Sequence, residues 1–169
     1  MRIAVVDSSP LINLTHLDLA SELTLFFDRV YVPRAVQREV NRKGRFRYRL
    51  NKLYKNGFFA KCSAVDKTNV RLLLSDLGEG EAEALIQAQE KLANEESALF
   101  FIVDEPRARH IGEKLGIRPV GTLRLLARLS LEGLAPEVRS LVRKLERDLG
   151  FRVSDHILRQ AISIASEPI

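Results

Sequence analysis

The chain has 169 residues, 46% hydrophobic and 29% charged, which is enough for one domain with a real core, and no apolar run approaches the roughly 20 residues of a membrane-spanning helix. The single cysteine, Cys62, excludes an internal disulfide or a cysteine-based zinc site, His16, His110 and His156 share no metal-ligand spacing, and a start of Met-Arg followed directly by a strand pattern, with no leader cleavage site, makes a reducing, cytoplasmic setting the expectation. Net charge is +5, yet Arg42, Lys43, Arg45, Arg47, Arg49, Lys52, Lys55 and Lys61 fall between Asn41 and Lys61 with no acid among them, so the rest of the chain carries a net −3; a mildly acidic body with one basic patch is the electrostatic footprint of a polyanion partner.

Arg2–Val6 reads as a buried strand, short, β-branched and bounded by turn residues. Ser9 is expected to cap a helix with Pro10 at its first position and Leu11, Leu14, Leu17 and Leu19 on its apolar face. Arg29–Pro33 is a second strand, and Pro33 opens a helix carrying Val36 and Val40 inward. Gly57–Val65 reads as a short strand, Asn69–Leu77 as a short helix ended by Gly78, and Gly80 to Ala93 as a helix with Ala84, Leu85, Ala88 and Leu92 on one face. Ala98–Asp104 is the clearest internal strand, followed by a helix stopped at Gly116 and a last strand in "IRPVG". Three helical segments close the chain: Thr122–Leu131, Pro136–Leu149 and Ser154–Ala165. Strand and helix alternate, which predicts an α/β/α sandwich around a mainly parallel sheet, a single domain over 1–169 with a basic insertion at about 41–61 and a helical extension at about 122–166.

Two strands share one grammar: "IAVVD" ends on Asp7 and "FFIVD" on Asp104. In open parallel sheets ligands bind beyond the carboxyl ends of the strands, so two central strands would deliver both carboxylates to one rim, where they repel unless a cation lies between them. The alternative is that each acid caps a helix, which is stronger for Asp104, before Glu105-Pro106, than for Asp7, which Ser8 or Ser9 could relieve of the task. Glu39 borders Val36 and Val40, and a lone glutamate there is ordinarily just solvated. Glu79, Glu81 and Glu83 suit the positive end of a helix, worth roughly 0.3–1 kcal/mol each. Glu81 borders the apolar face, with Glu83 as the alternative.

The blocks "VVDSSPLINL", "VYVPRAVQREV", "LGEGEAEAL", "FIVDEPRAR" and "GIRPVGTLRLLARL" resemble, in order and spacing, a PIN domain. With the tail "GFRVSDHILRQAI" they resemble more narrowly the prokaryotic subgroup described as predicted nucleic-acid-binding proteins containing a PIN domain, relatives of the VapC toxins. The resemblance implies a ribonuclease with three or four acids around Mg²⁺ or Mn²⁺, leaving a 5′-phosphate and a 3′-hydroxyl. Carried over by position, the acids are Asp7, Glu39, Glu81 (or Glu83) and Asp104. Toxin-type members often have aspartate in the third place. RNA would be the substrate, a small antitoxin protein a partner of toxin-type members, and homodimers are common in the family.

A hard divalent cation suits carboxylate, water and phosphate oxygens, and such chemistry needs neither histidine nor nucleophilic serine. Ser9 is expected to hydrogen-bond Asp7 or substrate phosphate, and Thr122 to support the site in the same way or, more simply, to cap its helix. The basic run Arg42, Lys43, Arg45, Arg47, Arg49, Lys52, Lys55, with Arg107, would hold the RNA backbone that an acidic site repels. Phe46, Tyr48 and Tyr54 would stack on bases or anchor this loop to the body. Three competing functions remain open at this level: a nucleic-acid-binding PIN-like module without catalysis, a phosphoacceptor or phosphatase with Asp7 as nucleophile, for which Ser9 stands where a second acid is usual, and a structural partner protein.

Overall fold

The computed structural model of the chain describes residues 1–62, 67–73, 77–94 and 98–169, and the side chains of these except at 67 and 92–94. Five strands, β1 (Arg2–Val6), β2 (Arg29–Pro33), β3 (Phe59–Cys62), β4 (Ala98–Ile102) and β5 (Arg118–Val120), form one sheet in the order β3-β2-β1-β4-β5, and every pairing is parallel. The expected parallel α/β/α architecture is therefore what the chain adopts.

Parallel strands are buried on both faces, which is why β1 reads as an unbroken apolar run rather than an alternation. Ile3 and Val5 face one core with Leu85, Ala88, Leu99 and Phe101. Ala4 and Val6 face the other with Leu11, Leu14, Phe100, Leu125 and Leu145. The first face is covered by α4 (Lys67–Leu73), α5 (Glu79–Asn94) and α6 (Pro106–Lys114). The second is covered by α1 (Ser8–His16), α2 (Arg34–Arg42), α7 (Thr122–Leu131), α8 (Val138–Leu149) and α9 (Asp155–Ser163).

Several local expectations need correction. Ser9 does not cap α1: the helix starts at Ser8, Asp7 occupies the cap position with extended backbone, and Pro10 lies within the first turn, where a missing N–H costs nothing. β4 ends at Ile102 because its partner β5 ends at Val120, leaving Val103 and Asp104 beyond the ladder. α8 starts at Val138 because Glu137, not Pro136, supplies the capping oxygen, to the Ser140 N–H at 3.2 Å. β3 covers only Phe59–Cys62 of the expected strand; 63–66 lie outside the described residues, as do 74–76 of the expected short helix and the Leu92 side chain.

The basic insertion is not a loop. It forms a 3₁₀ turn at Gly44–Phe46, the helix α3 (Arg47–Leu53) and a second 3₁₀ turn at Tyr54–Asn56. Phe46 and Leu50, four residues apart and each 1% exposed, pin it to the core, while Tyr48 is 80% exposed. Arg49 Nη1 donates to the Thr15 carbonyl at 3.1 Å and pairs with Asp18 Oδ1 at 3.3 Å, locking α3 to the end of α1. No helix among the described residues is long and apolar enough to cross a membrane.

Candidate active site

The strand order reverses direction between β1 and β4, which makes the carboxyl ends of those two strands the natural crevice of the sheet. Val6 pairs with Ile102, and the Asp7 N–H donates to the Ile102 carbonyl at 2.9 Å. Asp7 and Asp104 therefore emerge side by side on one rim, and both line the same groove, of about 580 Å³.

Asp7 is 2% exposed, and its Oδ1 has no hydrogen-bond partner. Burial pushes its pKa up to about 7; the Ser8 N–H acts in the opposite direction, and the charges of Glu81, Glu39 and Asp104 add to the rise. Asp7 thus senses all three of the other candidate acids, an arrangement that favours either a shared proton or a cation.

Asp104 is held differently. Its Oδ1 accepts the Thr122 N–H at 2.7 Å and its Oδ2 the Thr122 hydroxyl at 2.6 Å, with Asn13 Nδ2 at 3.5 Å. The carboxylate therefore caps α7 across the site, while Glu105 caps α6 by accepting from the Ala108 N–H at 2.6 Å. Thr122 does not cap its own helix; Gly121 holds that position, and Thr122, fully buried, clamps Asp104. Burial raises the Asp104 pKa, against the Thr122 bonds, Arg109 and Asn13.

Glu39 comes from α2, and Glu81 from the first turn of α5. Gly80 lets these elements meet: a Cβ there would lie 3.3 Å from Glu39 Oε2 and 3.5 Å from Asp7 Oδ1. Glu81 Oε2 accepts the Gly78 N–H at 2.9 Å, a reach back to the helix start. Glu83 is turned elsewhere, its Oε2 accepting the Ala35 N–H at 2.6 Å at the start of α2. Glu81 lines the groove of Asp104 and also a second one, of about 400 Å³, that contains Glu39; Glu83 lines neither. Exposed Ser9 lines both, beside Asp7, but forms no hydrogen bond to it.

The basic candidates divide. Lys43 and Arg45 line the larger groove and Arg42 the smaller. Arg47, Lys52 and Lys55 lie on the exposed face of α3 and its following turn, outside both grooves. Arg49 is committed to α1, as described, and Arg107 is exposed on α6, away from both grooves. Of the aromatics, Phe46 is the anchor, with the Arg45 guanidinium 4.9 Å from its ring centre, and Lys61 lies over Tyr54 at 5.0 Å.

Sequence reasoning missed Asn13, Gly80 and the turn that ends α8, where Asp148, Gly150 and Phe151 reach the groove. Asn13 had a visible signal, a polar residue set between apolar neighbours on the stripe of α1 and 6% exposed. The α8 turn had none, because it arrives by tertiary packing. His16 bridges two lining pieces, with Nε2 2.9 Å from Asp148 Oδ2 and its ring edge-on to Phe46 at 6.2 Å.

The donor set is all oxygen, which suits a hard cation, and the unpartnered buried Asp7 Oδ1 is the kind of atom such an ion satisfies. Among the described residues, no group of three acids, histidines or cysteines is already closed into an ion cage. No curated protein matches the chain. A family model described as a PIN domain matches residues 3–167, and PIN domains are in general nucleases that use divalent metals. Matched over nearly its whole length, the chain belongs to the PIN-domain family.

Proposed function

We propose that the chain is a metal-dependent endoribonuclease of the VapC-like prokaryotic group, acting as the toxin of a toxin–antitoxin pair. The observation that carries the nuclease reading is Asp7: a buried carboxylate with one oxygen unpartnered, at the switch point of a parallel sheet, within the field of Glu39, Glu81 and Asp104. Asp7, Asp104 and Glu81 would hold Mg²⁺ or Mn²⁺, directly or through water, with Glu39 completing the set. The ion, when bound, supplies a water of lowered pKa and neutralises charge building on the phosphate. Thr122 and Asn13 fix the rotamer of Asp104, so that carboxylate meets the ion already oriented. Ser9, exposed and lining the groove with Asp7, would donate to a phosphate oxygen. Lys43 and Arg45, with Arg42, offset the repulsion between an acidic pocket and a polyanion.

A second reading, a binding module without catalysis, draws on the absence of a closed cage among the described residues and on the bond that ties Glu81 to Gly78. One assay separates the two. Mixed structured RNAs are incubated with the protein in Mn²⁺, in Mg²⁺ and in EDTA, with Asp7→Asn as control. Cleavage that needs the metal and disappears in the variant supports the nuclease; RNA binding unaffected by EDTA, without cleavage in either metal, supports the binding module. The toxin role and its partners, a small antitoxin protein and a second copy of the chain, are tested by growth arrest on expression and its relief by the adjacent reading frame.

A further inference from the structure

We propose that Phe151 is the surface on which the base of a bound nucleotide stacks, and that the turn carrying it and the turn carrying Lys43 and Arg45 form a two-part clamp, one part for the base and the other for the phosphate. The proposal rests on the nuclease reading and deepens it by naming a residue that selects unpaired substrate.

The position of Phe151 is set by the end of α8. Gly150 takes the left-handed conformation, φ +70°, that only glycine adopts without strain, and its N–H donates to the Glu146 carbonyl at 3.1 Å. The Phe151 N–H then turns back to the Leu145 carbonyl at 3.3 Å. Phe151 is half-buried: it packs against the core and also lines the groove that contains Asp7, Glu81 and Asp104. Helix ends of this kind ask for an apolar residue at this point, but an aliphatic side chain serves as well. An aromatic side chain lining a groove that also holds Asp7, Glu81 and Asp104 is more than the helix end requires.

His16 sets the spacing of the clamp. It bonds Asp148, three residues before Phe151, and meets Phe46, next to Arg45, so the aromatic turn and the cationic turn are fixed to one side chain of α1. Asp148, which would otherwise repel a phosphate here, is ion-paired with Arg147, whose Nε lies 2.7 Å away, and its other oxygen is bonded to His16 Nε2. Cations that take a phosphate beside a ring that takes a π-face match a nucleotide whose base is free. A duplex covers its base faces and offers only backbone, so it can use Lys43 and Arg45 but not Phe151.

The chain has no tryptophan, so Phe151→Trp installs a single reporter. In an Asp7→Asn background, which leaves RNA uncut, that variant is titrated with an unstructured RNA oligomer, an abasic oligomer of equal length and an RNA duplex. The expected result is emission quenched by the unpaired RNA but not by the abasic oligomer or the duplex. Phe151→Leu keeps the apolar contact at the helix end and removes the π-face. Its affinity for unpaired RNA should fall roughly 5- to 150-fold, the range for one stacked base, with an unchanged melting temperature and unchanged affinity for the abasic oligomer. Equal affinity of the Leu variant and its parent for unpaired RNA, or equal quenching by the abasic oligomer, overturns the proposal. Cleavage by the wild-type protein is scored separately: if it persists while stacking fails, only the clamp is wrong, and if no RNA binds at all, both readings fall.

Discussion

Replacing Asp7 by asparagine should make the metal-free protein more stable while removing its activity. The unfolded chain ionises Asp7 near pH 3.8, whereas the folded chain holds its proton until about pH 7. Between those values the native state binds one proton more than the unfolded state, so stability falls as pH rises, by about 1.36 kcal/mol per unit. The full cost, about 4 kcal/mol, is in force above pH 7, and only about 1.6 kcal/mol of it at pH 5. Asparagine keeps the shape and carries no charge to bury. In EDTA at pH 7.5, Asp7→Asn should therefore melt on the order of 4–16 °C above the wild type, taking 2–4 kcal/mol of relief and the usual shift per kcal/mol for a chain of this size. The gap should narrow by more than half at pH 5. Adding Mn²⁺ should raise the wild-type melting temperature and leave the variant's nearly unmoved. Thermal unfolding followed by circular dichroism at both pH values reads all of this. An asparagine variant less stable than the wild type at pH 7.5, or a gap independent of pH, would refute the account of Asp7 as a destabilising, cation-seeking acid.

Thr122→Val keeps the volume but strips the hydroxyl from Asp104 Oδ2; it should cost about 1–3 kcal/mol in chemical denaturation and lower cleavage, while Thr122→Ser retains both. Glu83→Ala should cost roughly 1 kcal/mol through the uncapped Ala35 N–H and spare cleavage, whereas Glu81→Gln should lower cleavage about tenfold or more at nearly constant stability; the reverse pattern would exchange their roles. Gly80→Ala places a methyl 3.3 Å from Glu39 Oε2 and 3.5 Å from Asp7 Oδ1, so cleavage should drop although the helix itself gains about 0.5–1 kcal/mol. Lys43→Ala with Arg45→Ala should lower the slope of log affinity against log salt by about 2 in RNA-binding titrations.

The parts of the fold legible in the sequence were those with a strong period and clear punctuation. β1, β2 and α7 have the bounds that their apolar runs and flanking turn residues predict. The rim position of Asp7 and Asp104 followed from parallel strands alone, because every strand of such a sheet ends on the same edge. α3 was hidden because seven of its nearby positions are basic, and the two residues that seat it, Phe46 and Leu50, show no stripe until the core they enter is known. Glu81 and Glu83 both lie in the opening turns of α5; what parts them is the Ala35 N–H of another helix, 48 residues away in the chain. Thr122 looked like a cap because threonine usually is one, yet here the acid caps the helix and the threonine serves the acid.

The proposed metal site would also explain why an aspartate follows a buried strand. Placing Asp7 at the end of β1 strips its water and surrounds it with like charge, a cost the rest of the fold must carry. The two clamped carboxylate oxygens of Asp104 show that this rim can supply donors to an acid, through Thr122 and Asn13. Asp7 Oδ1 receives none, although it stands at the start of a nine-residue helix whose first N–H groups are ordinary donors. That oxygen, crowded by acids from α2, α5 and the turn after β4, is the one that the proposed site would offer to a ligand of positive charge. On the proposed nuclease reading, a divalent ion that neutralises the cluster would recover part of the cost that the metal-free protein bears, and so would stabilise the fold by binding it.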